Sequence, residues 1–205
     1  ANASFIPGFT FRERTPHASL GLFIGRLLTE ETPFEQAARG LETIEAIYPQ
    51  SHFVPFFKGL LHLNNGDISR ALSSFAQAEP LQPSEDDQAL TAFYQGYALS
   101  QAQNWNEALP HLNRALSLNP VSYAYLNLRG VAHFKRGDFE QAASDFQQAL
   151  DINAGSALDL ANLGLCFKAM NKPEKAISCL QAGLELDSEL HFAWDHLQEL
   201  IQRTI

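Results

Sequence analysis

Glycine returns along this chain at Gly25, Gly59, Gly96, Gly130 and Gly164, at intervals of 34, 37, 34 and 34 residues. Alanine keeps step at Ala37, Ala71, Ala108, Ala142 and Ala176, each 12 residues after its glycine. Two small residues held at one offset through five cycles mark an internal repeat, and this period is that of stacked helical hairpins. Length alone would imply one or two globular domains for 205 residues. The repeat overrides that expectation, because a stacked array is one cooperative body.

The unit 123–156 shows how a hairpin is written. Its first half, YAYLNLRGVAHFKRG, places apolar residues at helical spacing. Its second half, FEQAASDFQQALDI, does so again through Phe139, Ala142, Ala143, Phe146, Ala149, Leu150 and Ile152. Gly137 suits the left-handed end of the first helix, and Asp138 is expected to cap the second with Gln141 as its capping-box partner. Short side chains let antiparallel helices approach, so Gly130 is expected to meet Ala142 at the crossing, with Ala149 opening space towards the next unit. A glycine inside a helix costs about 1 kcal/mol against alanine. Its return implies that packing outweighs propensity, since a larger residue would overpack by about 1–3 kcal/mol.

The same beat divides the chain into a non-repeat segment 1–17, units 18–51, 52–88, 89–122, 123–156 and 157–190, and a final amphipathic stretch 191–205. That last stretch has no partner after it and reads as a capping helix. Thr32, Pro33 and Glu35 open the second helix of the first unit. Asn104 with Glu107, and Asn171 with Glu174, are the expected capping pairs further on. Glu85, Asp86 and Asp87 read as a solvated insertion loop. Pro110 lies inside a helix and is expected to be accommodated there.

By this point the pattern resembles the tetratricopeptide repeat, most closely through NWNEALPHLNRALSLNP and GDFEQAASDFQQALDIN. The resemblance runs from residue 18 to residue 205. It implies an all-α fold, a right-handed superhelical α-solenoid of antiparallel hairpins whose first helices line a concave face. On that face it places Arg26, then Phe53, Phe56 and Leu60, then Phe93, Tyr94 and Tyr97, then Asn127 and Val131, and last Asn162 and Lys168. The groove so drawn is apolar and aromatic in its N-terminal half, which is the composition of an interaction site. Asn127 and Asn162 are expected to hydrogen-bond a ligand backbone, and Arg26 and Lys168 to meet carboxylates. His62 and His133 stand where an aromatic is usual in such repeats and are expected to pack in the core. The carboxylate clamp of chaperone-binding members finds no matching window. The asparagine ladder of sugar-transferase members is matched only at Asn162.

The remaining signals exclude more than they assign. A net charge of −9 and a pI near 5.2 argue against a nucleic-acid partner. No apolar run reaches the ~18–20 residues of a membrane span. There is no Gly-rich phosphate loop, HExxH pair or nucleophile elbow, so neither enzyme chemistry, cofactor nor metal is expected. His191 and His196, on one helix with Asp195 and Glu199, read as a solvated face. Cys166 and Cys179 read as buried, reduced thiols. Ala1 opens the chain without the regions of a signal peptide. A cytoplasmic residence is therefore expected, with a periplasmic or secreted one after processing ahead of Ala1 as the alternative. The function so read is a non-catalytic scaffold that captures a protein or peptide partner in the groove. Two alternatives stand beside it: a chaperone for an apolar client, resembling tetratricopeptide chaperones of bacterial secretion, and a regulatory domain of a larger enzyme.

Overall fold

The structure is a computed structural model and describes residues 33–204. Segment 1–17, Arg26 and Thr32 lie outside the described residues. Those residues form ten α-helices and one 3₁₀ turn, with no strand among them. They fall into two compact units, one ending at Ala102 and the other starting at Gln103.

The first unit holds α1 (Phe34–Ile47), α2 (Phe53–Asn64), α3 (Ile68–Ala78), the 3₁₀ turn Glu79–Leu81 and α4 (Glu85–Gln101). The second holds α5 (Trp105–Leu118), α6 (Tyr123–Arg136), α7 (Phe139–Ile152), α8 (Ala157–Ala169), α9 (Pro173–Leu186) and α10 (His191–Thr204). Within each unit, every helix packs on its neighbours in the chain. α5 runs unbroken through Pro110, whose ring faces solvent.

The tight turns are made by left-handed residues. Gly66 and Gly137 have φ of 78° and 93°, a region that costs glycine nothing. At each, a paired return of amides closes the helix: Gly137 N–H reaches Phe134 O at 3.0 Å, and Asp138 N–H reaches His133 O at 2.9 Å. Asn171, at φ 56°, takes the same place before α9, with Lys172 N–H donating to Phe167 O at 2.9 Å. It is thus a glycine substitute closing α8, not the cap of α9, because asparagine tolerates the left-handed region.

Three further capping expectations are corrected. Asp138 makes no cap hydrogen bond. Its carboxylate is drawn away by the Arg136 guanidinium and stands 3.4 Å from His133 Nδ1. Asn104 makes no side-chain cap either. Glu85, Asp86 and Asp87 are not a loop but the first turn of α4. Ser84 caps them, accepting from Asp87 N–H at 3.2 Å, and three carboxylates there complement the helix dipole.

The glycines seat large side chains. A β-carbon built on Gly59 would stand 2.5 Å from the Phe75 ring, one on Gly130 3.0 Å from Phe146, and one on Gly164 2.9 Å from Leu180. The partner of Gly130 is therefore the Phe146 ring and not Ala142. Each of these large residues lies 16 positions after its glycine, one helical turn beyond the alanine of the beat.

The two units have different cores. In the first, Phe56, Phe57, Phe75, Phe93, Tyr94 and Tyr97 form one ring cluster, with successive centroids 5.3–6.4 Å apart. In the second the cores are built mainly from aliphatic side chains. Phe146, Leu150, Leu163 and Cys166 form one group, and Leu180, Leu184, Ala193, Leu197 and Leu200 another. The second group shows α10 covering the apolar face of the last hairpin, as the sequence expectation for a cap has it. His62, 5.9 Å from the Phe34 ring, and His133 are both half-buried.

Candidate functional site

A pocket opens in the first unit between the start of α2 and the start of α4. His52, Phe53 and Phe56 line it from α2 and its cap. Gln82 lines it from the linker, and Asp87, Leu90 and Thr91 from α4. The chain brings these together because α2 and α4 are the first helices of successive hairpins, and Gln82 lies in the connection between α3 and α4.

The polar atoms of this pocket are only partly paired. Gln82 donates its amide Nε2 to the Thr91 hydroxyl, which leaves its Oε1 buried without a hydrogen-bond partner. His52 is nine-tenths buried, and its Nε2 has no hydrogen-bond partner either. The nearest carboxylate oxygen, Asp87 Oδ1, stands 3.7 Å away, an ion-pair distance too long for a hydrogen bond. Asp87 is anchored on its other side by the Ser84 hydroxyl at 2.5 Å. His52 foremost, with Ser84, holds the Asp87 carboxyl below its ordinary value, against burial, which pushes it up. Buried polar atoms are nearly always satisfied in a folded protein, so two orphans at one open pocket point to an absent partner.

The residues expected on the groove are placed unevenly. Phe53 is half-buried and lines the pocket. Phe56 also lines it, yet only 4% of its surface is exposed. Leu60, Phe93 and Tyr94 are buried, and Tyr97 is half-buried at the margin of the ring cluster. The aromatic set is thus chiefly a core, since burying rings against one another gains more than leaving them to water.

The polar positions of the second unit form rungs between successive first helices. Asn127 on α6 donates its amide to Asp159 on α8. Tyr123 and Ser156 share a hydrogen bond of 3.0 Å. Burial first, then Asp159, raises the Tyr123 phenol above its usual pKa. Lys168 on α8 pairs with Glu199 on α10 and stands 3.0 Å from His196 Nδ1. Val131 packs against the Phe146 group, and Asn162 is half-buried one turn beyond Asp159. Asn127 and Lys168 are therefore engaged within the protein.

Sequence reasoning missed His52, Gln82, Asp87 and Thr91. The signal available was SEDD at 84–87, in which Ser84 followed by Asp87 three residues later is a helix start.

Comparison with known proteins follows the same lines. The pattern of the tetratricopeptide repeat matches residues 93–157 and again 160–190. BBSome complex member BBS4 of Bos taurus is 28% identical over 123 residues, which is 60% of this chain and 23% of that protein. The chain thus spans under a quarter of that relative's length. Among solved structures, YrrB, described as a TPR protein with an unusual peptide-binding site, superposes with a TM-score of 0.74 at 18% identity, covering 89% of this chain and 91% of that one. MamA from Desulfovibrio magneticus RS-1 gives 0.73 at 20% identity, covering 86% and 98%. At such identities the likeness shows the fold, an α-solenoid of helical hairpins. No helix among the described residues is long and apolar enough to cross a membrane.

Proposed function

Since the chain belongs to the tetratricopeptide-repeat family, we propose that it is a non-catalytic interaction scaffold that captures a peptide segment of a partner protein at the α2–α4 pocket. One observation carries this reading: His52 Nε2 and Gln82 Oε1 lie buried and unsatisfied at a pocket that Phe53 leaves open. A peptide bound there supplies the missing hydrogen bonds and covers the Phe53 ring. The peptide-binding description of YrrB, which shares the fold, supports the same use of it. The net charge of −9 favours a protein over a nucleic-acid partner.

The sequence expectation drew the anchors from Phe93, Tyr94 and Tyr97. The pocket instead rests the reading on Phe53, with His52 and Gln82 as the polar contacts. Selection of binders from a random-peptide phage library, followed by calorimetric titration of the selected peptide, tests it. The expected result is that Phe53→Ala with His52→Ala weakens binding about tenfold or more while helicity is kept. Undiminished affinity in that variant would refute the site.

A further inference from the structure

The pocket has a chemical preference as well as a position. Its free polar atoms include two that only accept, Gln82 Oε1 and Asp87 Oδ1, and one, His52 Nε2, that accepts in one imidazole tautomer. The Gln82 amide is oriented by its bond to Thr91, so the oxygen is the atom left over. The charge around it is negative. Residues 52–88 carry Asp67, Glu79, Glu85, Asp86 and Asp87 against Lys58 and Arg70, a balance of −3. The positive end of the α4 dipole opposes a cation, but three carboxylates in that first turn outweigh its roughly half charge.

Resting on the peptide-binding reading, we propose that this pocket receives an arginine side chain of the partner segment. A guanidinium brings five donors and no acceptor in a planar fork, and its faces stack on aromatic rings. One NH₂ group reaches both Asp87 Oδ1 and His52 Nε2, since a nitrogen about 2.9 Å from each spans their 3.7 Å separation. A second N–H meets Gln82 Oε1. Phe53, Phe56 and Leu90 supply the apolar walls for the flat faces and the methylene stem. A lysine ammonium carries the charge but cannot share its donors among three separated acceptors while stacking on a ring.

The test uses the whole chain, isotope-labelled, titrated with Nα-acetyl-arginine methylamide, the lysine equivalent and the uncharged citrulline equivalent, and followed by NMR. The expected result is a saturable shift confined to His52, Phe53, Gln82 and Thr91 for the arginine probe. The dissociation constant is about millimolar, as befits a single side chain. The lysine probe binds several-fold more weakly and the citrulline probe gives no saturation. Asp87→Asn weakens the arginine probe about tenfold. Gln82→Leu, on a linker rather than a helix, provides the same reading if Asp87→Asn does not fold. Equal response to arginine and citrulline, or to arginine and lysine, overturns the inference, as does no saturation at the pocket. Selected peptides that bind through the pocket without an arginine also overturn it, while leaving the scaffold reading standing.

Discussion

The Phe146 ring lies over Gly130 so closely that a β-carbon on the glycine would stand 3.0 Å from ring atom Cε1. The ring of the second helix is seated on the bare backbone of the first, and the hairpin closes on that contact. The same arrangement at Gly59 is tighter, 2.5 Å from a Phe75 ring that is fully buried. Adding a methyl regains about 1 kcal/mol of helix propensity and costs about 1–3 kcal/mol of overpacking. Gly59→Ala is therefore expected to destabilise most and Gly130→Ala least. Gly164→Ala falls between them, because one of its neighbours is the Ala176 carbonyl oxygen at 3.2 Å, which cannot rotate away. Urea unfolding of the three variants gives the order, and a Gly59→Ala midpoint equal to wild type would contradict it.

Arg129 makes a fork to Asp145, Nε to Oδ2 at 2.9 Å and Nη2 to Oδ1 at 2.6 Å, and its third nitrogen reaches Asn113 at 2.9 Å. Asp145 is 2% exposed. Asp145→Ala strands the guanidinium, with an expected loss of about 3–5 kcal/mol. Arg129→Met with Asp145→Leu should recover most of it, because an apolar pair leaves no charge behind. A double variant as unstable as the single one, measured by urea midpoint, would show that packing rather than charge sets the cost.

The lowered Asp87 carboxyl fixes the sign of a pH effect. Its folded pKa lies below the unfolded one, so the unfolded chain binds more protons in the interval between them. The stability it contributes is complete above the unfolded value of about 3.9 and is lost as pH falls through the folded value. Removing the imidazole in His52→Ala is expected to bring the carboxyl back up. A carbon-detected NMR titration of Asp87 checks this, and an unchanged midpoint in His52→Ala would rule His52 out as the cause.

Both thiols are free, and burial pushes Cys166 up to about 12 and raises Cys179 as well, against the charge of Lys175. Only the thiolate attacks a disulfide reagent. The folded protein at pH 8 is expected to react slowly with dithiobis-nitrobenzoate, with half-buried Cys179 ahead of Cys166. Both thiols should react at once in urea. Rapid native labelling of Cys166 would mean that α8 opens locally.

The helices and their turns were legible in the sequence, and the site was not, for a common physical reason. Periodicity and glycine report what a residue does to its own backbone. Gly137, Pro110 and the amphipathic stretch ending the chain could be read on that basis, and the structure agrees. Asn127, Asp138 and the ring set depend on what lies opposite. An asparagine on an inner face reads as a ligand contact until Asp159, 32 residues away, is seen to accept its amide. Asp138 reads as a cap until Arg136 is seen to compete for it. Phe93 and Tyr94 carry the same composition whether they line a groove or fill a core. The pocket escaped because its polar members, His52, Gln82 and Asp87, are scattered across a cap, a linker and a helix start.

Asp159 has a consequence for how this array can be edited. Its carboxylate is fully buried, with one oxygen held by Asn127 and the other unpartnered. The unit 89–122 offers Ala89 and Phe93 at the places where 123–156 offers Tyr123 and Asn127. Splicing out 123–156 keeps the length rule of the array and even restores a serine ahead of residue 157, yet it confronts an ionised oxygen pair with a phenyl group. The modules look like interchangeable bricks, but this one mortar joint is keyed to a single neighbour, so their sequence of assembly is part of the design.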